Sequence, residues 1–234
     1  MNDLTLIIPA KNESESLPKV LDAISNLDCK IIISLDKTDY PTIKSIENFE
    51  NKKNITLFYQ SGVGYGNSLR EAINNCKTKY FCIFNADGSF NHKDLPEMFY
   101  KIKDNDFIFA TRYEYPGGSE DDTIITYVGN KIFSVLGRIL FSLNITDILY
   151  TYILGKTESF KNLAIKSDDF RFCVELPIKM KIAKMKYISI PSFEKKRIAG
   201  VKKVNNFKDG FLILIKMISL FFNFKILRKK NIDS

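Results

Sequence analysis

Residues 80–89 read Tyr-Phe-Cys-Ile-Phe-Asn-Ala-Asp-Gly-Ser. Five apolar residues run unbroken into a polar turn that carries one carboxylate and one glycine. The run is too short for a helix and too uniformly apolar for a strand with one wet face, so it predicts a strand buried on both sides. Four other runs share this character, at residues 4–8, 30–35, 55–59 and 107–111, all rich in Ile, Leu and Phe. Helical patterns separate them: one starts near Ser14 and tolerates Pro18 in its opening turns, and others cover 41–51, 66–77 and 94–103. This alternation predicts an α/β fold, a mostly parallel sheet covered by helices with right-handed crossovers. Ligands bind such sheets beyond the carboxyl ends of the strands, so the loops after Ile8, Leu35, Tyr59 and Phe84 are the candidate sites of chemistry.

The chain of 234 residues is one large domain, or one domain with an appendage. Its 45% apolar and 13% aromatic content excludes disorder, and its 26% charged content excludes a multi-span membrane protein. The net charge of +8 is unevenly placed. Residues 1–150 carry 16 basic and 20 acidic side chains, whereas residues 151–234 carry 19 and 7. The basic last third calls for an anionic partner: nucleic acid, acidic lipid or a phosphorylated substrate. Cys29, Cys76, Cys82 and Cys173 form no C-x-x-C pair and His92 is the one histidine, which argues against a zinc cage and for reduced thiols in a cytosolic protein. The first eleven residues contain Asp3 and end an apolar run at a proline, unlike a signal peptide.

Two segments of the second half are apolar around most of a helical circumference. In 132–144 the polar positions follow Lys131, Ser134, Arg138 and Ser142; in 211–224 they are Lys216, Ser219 and Asn223. The second segment, at about 14 residues, is shorter than the roughly 20 needed to span a bilayer. Lys208 precedes it and Lys225, Arg228, Lys229 and Lys230 follow, a pattern that fits a helix lying in a membrane interface and equally a helix packed on the body with a basic outer face. The aliphatic runs 211–215 and 217–222 suit lipid better than a nucleic-acid groove.

Four segments fall in order along one predicted sheet edge: Pro9-Ala10-Lys11-Asn12-Glu13, Asp36-Lys37-Thr38-Asp39, Gly64-Tyr65-Gly66-Asn67-Ser68-Leu69-Arg70, and Asn85-Ala86-Asp87-Gly88-Ser89. Later come Thr111-Arg112, Asp147 after the first long apolar segment, and Pro191, Arg197, Gly200 and Lys202. Taken together, from Leu4 to about Asp209, the chain resembles the family 2 glycosyltransferases, and within them the dolichyl-phosphate mannose synthase-like, polyprenyl-phosphate enzymes. It departs from them where Ser34-Leu35 replaces paired aspartates and where Asn85 replaces an acidic residue.

The resemblance implies a glycosyltransferase A-type, Rossmann-like fold with C-terminal amphipathic helices. It divides the chain into a nucleotide-sugar-binding half at 1–120, an acceptor-binding half of the same domain at 121–206, and a basic amphipathic helix and tail at 207–234. It assigns Pro9, Lys11, Glu13, Asp36, Gly66, Arg70 and Ala86 to the nucleotide, and Asp87 with Asn85 and Ser89 to Mg²⁺ or Mn²⁺. Arg112, Arg197 and Lys202 are assigned to an acceptor phosphate, and Asp87, Arg112 and Asp147 to catalysis.

Those residue types suit glycosyl transfer. A departing nucleotide diphosphate gains negative charge that a carboxylate-held divalent cation neutralises. A phosphate acceptor is already anionic and needs positive charge to align it more than it needs a base. The expected activity is inverting transfer from GDP-mannose or a UDP-sugar to a polyprenyl phosphate by a protein peripherally bound to the cytoplasmic face of a membrane. A small membrane subunit replacing the transmembrane segments of many relatives is a further expected partner, and nucleic acid is not. Two alternatives stand beside it. A glycan or other hydroxyl acceptor would need a general base, for which Asp147 is the candidate. A non-catalytic membrane-binding relative would account for the replaced acidic residues. Asp147 could equally cap the following segment, His92 is read as a loop residue, and Tyr150, Tyr152 and Phe160 are read as core.

Overall fold

In β1 (Leu4–Ala10), Leu4, Leu6 and Ile8 pack into one hydrophobic core and Ile7 into a second, so the strand is a wall between two apolar layers. Side chains of period two on a doubly covered sheet require this. The computed structural model describes residues 1–49, 52–200 and 203–230. After β1 the chain continues through α1 (Leu17–Ala23), β2 (Lys30–Leu35), α2 (Tyr40–Ser45), β3 (Ile55–Tyr59), α3 (Tyr65–Asn75), β4 (Tyr80–Ile83), α4 (Leu95–Lys101) and β5 (Phe107–Thr111). It then runs through β6 (Gly118–Ser119), α5 (Ile124–Phe141), β7 (Ile153–Lys156), α6 (Thr157–Asn162), α7 (Phe172–Ile182), β8 (Tyr187–Pro191), β9 (Phe193–Glu194) and α8 (Asn206–Lys230).

Seven strands form one sheet in the order β3-β2-β1-β4-β7-β5-β8, and β6 pairs with β9 in a small second sheet. β7 runs antiparallel to both neighbours and the other pairings of the main sheet are parallel. The chain builds outward from β1 to β3 and then returns to place β4 on the opposite flank of β1. That reversal opens a crevice at the carboxyl ends of β1 and β4, where such sheets bind ligands. One core packs α1 and α4 against the sheet; the other packs α3, α6, α7 and α8.

The five expected strands are present, and residue 84 alone falls outside its strand. β7 and β8 were not anticipated. β7 is four residues long and includes a glycine, so its sequence carries little strand signal; it forms because the gap between β4 and β5 offers unpaired backbone on both sides. Gly155 fits there because a side chain would meet the rings of Phe107 and Phe81 at 2.8 Å.

Several helix boundaries differ from expectation. The helix expected over 41–51 ends at Ser45, and a separate 3-10 turn covers Glu47–Phe49. α1 begins at Leu17 because residues 11–16 are held in a loop, with Asn12 at φ 52°. α5 begins at Ile124, eight residues before the expected segment, because Thr123 and Thr126 form a reciprocal capping box. α8 runs 25 residues, since Asn205 Oδ1 accepts hydrogen bonds from the amides of Phe207 (3.2 Å) and Lys208 (3.0 Å) and starts the helix earlier.

α5 is apolar on both sides. Its inward face buries Asn130, Ser134, Gly137 and Phe141, with Phe133, Leu136 and Leu140 packed against the core, whereas Ile124, Val128, Ile132, Val135 and Ile139 are exposed. Each set follows helical spacing, and the inward one mixes two polar side chains with apolar ones. Among the described residues α5 is also the one helix long and apolar enough to cross a membrane.

Replacing Gly155 by Ala should push the Phe107 and Phe81 rings off their packed positions at a cost of about 1–3 kcal/mol. Thermal unfolding should show the midpoint falling by roughly 2–12 °C.

Candidate active site

The loops at the carboxyl ends of β1 and β4 open into one cavity of about 1010 Å³. Its first wall is the turn after β1. Asp39 accepts the amide of Asn12 (Oδ2, 2.6 Å) and caps α2 at Thr42, and Thr42 Oγ1 in turn accepts the amide of Glu13 (2.9 Å). These bonds lock the turn so that Pro9, Lys11 and Glu13 line the cavity. Asp36 stands behind it and accepts a hydrogen bond from Lys11 Nζ at 2.9 Å. The Thr38 amide, then the side chains of Lys11 and Thr38, hold the Asp36 carboxyl down at about 2. Ser34 is buried and accepts a hydrogen bond from Ser68 Oγ (2.7 Å), which ties β2 to α3.

The second wall is the turn after β4, with Asn85, Ala86, Asp87 and Ser89. Asp87 Oδ1 accepts the Ser89 amide (3.0 Å), and Gly88 at φ 81° makes the turn that the two flank. A side chain on Gly88 would strike Ile198, whose own amide donates to Asp87 O at 2.8 Å, while Lys195 N donates to Ser89 O at 2.9 Å. Residues 195–198 are thus stitched directly onto the Asp87 turn. Across the mouth Lys203 pairs with Glu13.

The third wall is a charged cluster around Arg112. Asp147 accepts from its backbone N (3.0 Å), its Nε (2.7 Å) and its Nη2 (2.9 Å); Glu194 Oε2 accepts from Nη1 (2.9 Å); and Asp122 lies 3.9 Å away. Burial opposes the charge on Arg112, but the hydrogen bonds and charges of Asp147 and then Glu194 outweigh it and hold the guanidinium protonated. Burial also raises the Glu194 pKa, partly offset by Arg112 and Ser119. Asn130 Nδ2 donates to Asp147, and Ser134 Oγ accepts the Ile148 amide (3.1 Å), so these two inward side chains of α5 hold this segment in place. Arg197 pairs with Asp121 at 2.5 Å. The fourth wall is apolar: Ile124, Ile125, Val128, Ile132 and Phe133 of α5 face Phe207, Gly210 and Ile213 of α8.

Of the expected site residues, Pro9, Lys11, Glu13, Asn85, Ala86, Asp87, Ser89, Arg112 and Arg197 meet around this cavity. Gly66 packs instead against the backbone, where a side chain would lie 2.4 Å from Ser167 O, and Arg70 donates to Asp168 Oδ1 at 2.5 Å. Asp147 is fully buried behind Arg112, with its oxygens committed to Arg112 and Asn130. Arg112 and Arg197, expected as ready phosphate ligands, are both paired with carboxylates because the fold surrounds them with acidic side chains from distant segments. Lys202 lies outside the described residues. Asp121, Asp122, Asn130, Glu194 and Lys203 were not singled out from sequence; the acidic triplet 120–122 beside an apolar helix was the available signal.

Asp87 and Asn85 present oxygen donors, a carboxylate and a neutral carbonyl, at the edge of an open cavity. That set fits Mg²⁺ or Mn²⁺ when substrate phosphates complete the shell. No group of three or more His, Cys, Asp or Glu able to hold a metal occurs among the described residues, so the protein would supply few of the ligands.

The sequence pattern of glycosyl transferase family 2 matches residues 5–164. The glycosyltransferase AglJ of Haloferax volcanii is 22% identical over 217 residues, covering 91% of this chain and 70% of that protein. An uncharacterized glycosyltransferase of Mycobacterium tuberculosis is 22% identical over 212 residues, covering 91% and 94%. Among solved structures, glucosyl-3-phosphoglycerate synthase from Mycobacterium tuberculosis, in complex with Mn²⁺, UDP and phosphoglyceric acid, superposes with a TM-score of 0.68 at 12% identity over 93% of this chain and 78% of that one. Mannosyl-3-phosphoglycerate synthase from Rubrobacter xylanophilus gives 0.66 at 12% identity over 97% and 74%. These likenesses establish the fold, a glycosyltransferase sheet flanked by helices.

Asp147→Ala would leave the Arg112 charge buried with fewer partners. Urea unfolding should register a loss of about 3–5 kcal/mol, the cost of stranding one member of a buried ion pair.

Proposed function

The chain belongs to glycosyl transferase family 2, and from that premise we propose that it moves a sugar from a nucleotide diphosphate sugar to a polyprenyl phosphate at a membrane surface. The observation that carries the acceptor is the exposed apolar surface of α5. Ile124, 83% exposed, stands at the rim of the cavity, and Ile139, 71% exposed, stands on the side of the helix away from Asn130. Phe207, Phe211, Ile215, Ile218 and Phe222 of α8 are exposed as well. Water does not select a contiguous apolar outer face; a lipid surface does, with basic residues at its edge. The apolar wall between α5 and α8 continues from this face to the Asp87 turn, which suits an isoprenoid chain carrying its phosphate inward. Nucleotide sugars are the donors, so the face in question is the cytoplasmic one, and the protein binds it peripherally.

In this reading Lys11 and Lys203 meet the donor from the β1 side, and Asp87 with Asn85 would hold a divalent metal, which would supply positive charge to the departing diphosphate. Arg112 and Arg197 exchange a carboxylate for the acceptor phosphate, whose oxygen then attacks the sugar carbon from the face opposite the leaving group. No proton need move, because the acceptor is already ionised. The stitching of 195–198 onto the Asp87 turn sets the distance between the two reactants.

A hydroxyl acceptor is the second reading, and one observation favours it: Glu194, not Asp147, is a carboxylate at the cavity whose pKa burial raises, as a general base requires. Glu194→Gln separates the two, since it should abolish transfer to a hydroxyl and spare transfer to a phosphate.

Radiolabelled sugar should enter the organic phase when the protein is mixed with nucleotide sugar, Mg²⁺ and polyprenyl phosphate, and Asp87→Ala should reduce this to background. No organic-phase counts with any GDP- or UDP-sugar would remove the lipid acceptor.

A further inference from the structure

The Gly64–Arg70 turn of the donor site rests on another loop. A side chain on Gly64 would lie 2.2 Å from Asp168 O and one on Gly66 2.4 Å from Ser167 O, so the two backbones are in direct contact. The Asn67 amide donates to Asp168 O at 2.9 Å, Arg70 Nη2 donates to Asp168 Oδ1 at 2.5 Å, and the ring of Tyr65 stacks on Phe170 at 5.1 Å. Gly64 and Tyr65 line the cavity. Whatever holds residues 166–169 therefore holds this corner of the cavity.

Glu175, 1% exposed near the start of α7, is what holds them. Its Oε2 accepts the Ser167 amide at 2.7 Å and its Oε1 the Lys166 amide at 3.2 Å. The same carboxylate is bridged by Lys179 Nζ at 2.9 Å and by Lys216 Nζ at 3.1 Å. Burial by itself would raise its pKa, but the Ser167 and Lys179 hydrogen bonds and the Lys216 charge outweigh burial and bring it down to about 2. Lys216 belongs to α8, the helix whose other side carries the exposed apolar residues, and Ile213, Met217 and Leu220 seat that helix on the body. One buried carboxylate thus joins the C-terminal helix to the loop under the donor turn.

We propose that Glu175 is a positioning residue for the nucleotide, and that Lys216 makes donor binding depend on the seating of α8. The proposal rests on the reading of this cavity as the donor site. A buried carboxylate with two lysines and two amides has a single low-energy arrangement, because removing any one partner leaves charge or a polar group unsatisfied. Loss of Lys216 therefore relaxes Glu175, then residues 166–169, then the Gly64 turn. It follows that engagement of α8 by a surface changes donor affinity without any contact with the donor.

Calorimetry of UDP and of GDP with Mn²⁺ tests this on the full chain and on Lys216→Met, Lys216→Arg and Glu175→Gln, together with amide hydrogen exchange. Lys216→Met should weaken nucleotide binding roughly 3- to 10-fold and speed exchange across residues 64–69 and 166–169, with the sheet amides unchanged, and Lys216→Arg should restore both. Glu175→Gln should weaken binding at least as much. Nucleotide affinity unchanged in Lys216→Met and Glu175→Gln overturns the coupling, as does weakened binding with uniformly faster exchange over the whole sheet, which would mark a general loss of stability. A native chain that binds neither nucleotide overturns the donor reading instead.

Discussion

The guanidinium of Arg112, taken out of water at the end of β5, is the interaction on which the second half of the molecule is organised. Burying such a charge costs several kcal/mol unless its donors are satisfied. Here they are met by Asp147 on two sides, by Glu194 and by the nearby Asp122. Each partner comes from a different segment: Asp147 from the stretch after α5, Glu194 from β9, Asp122 from the approach to α5. Asn130 of α5 completes the set through Asp147. That charge gives these segments a shared polar anchor beside the apolar packing of Phe141, Leu143, Ile145 and Ile148.

This convergence explains why α5 buries two polar side chains. Asn130 and Ser134 bond to the 147–149 stretch that presents Asp147, beside the apolar packing of Phe133, Leu136, Leu140 and Phe141. Ile124, Val128, Ile132, Val135 and Ile139 are left exposed, and α8 carries further exposed apolar side chains. The Arg112 cluster thus fixes the cavity's charged wall and, through α5, the apolar surface next to it. A charge-rich end and an apolar end of one cavity are consequences of this arrangement.

The first half was readable because its signals are local. Runs such as residues 80–84 are strands whatever lies around them, and the order of turns rich in Asn, Asp and Gly along the sheet edge follows from a parallel sheet. Lys11, Glu13, Asn85 and Asp87 were accordingly found where expected. β7 was not, because its four residues gain their strand character only from the two unpaired strand edges it fills. The start of α5 was missed because Thr123 and Thr126 mark it as a helix start only once their reciprocal capping bonds are seen, and Ile124, Ile125 and Val128 are exposed and give it no buried face.

By itself the sequence determined the α/β sheet, the sheet edge on which the cavity opens, and the placement of Asn85 and Asp87 in the turn at that edge, all set by residues within a few positions of one another. Only the tertiary structure decided that Arg112 and Arg197 meet carboxylates, that Asp147 is closed off behind Arg112, that Arg70 and Gly66 face residues 167–169, and that Glu175 ties α8 to that loop. Those outcomes depend on pairs separated by up to about a hundred residues, and a buried charge takes its partner from whichever segment the fold brings near.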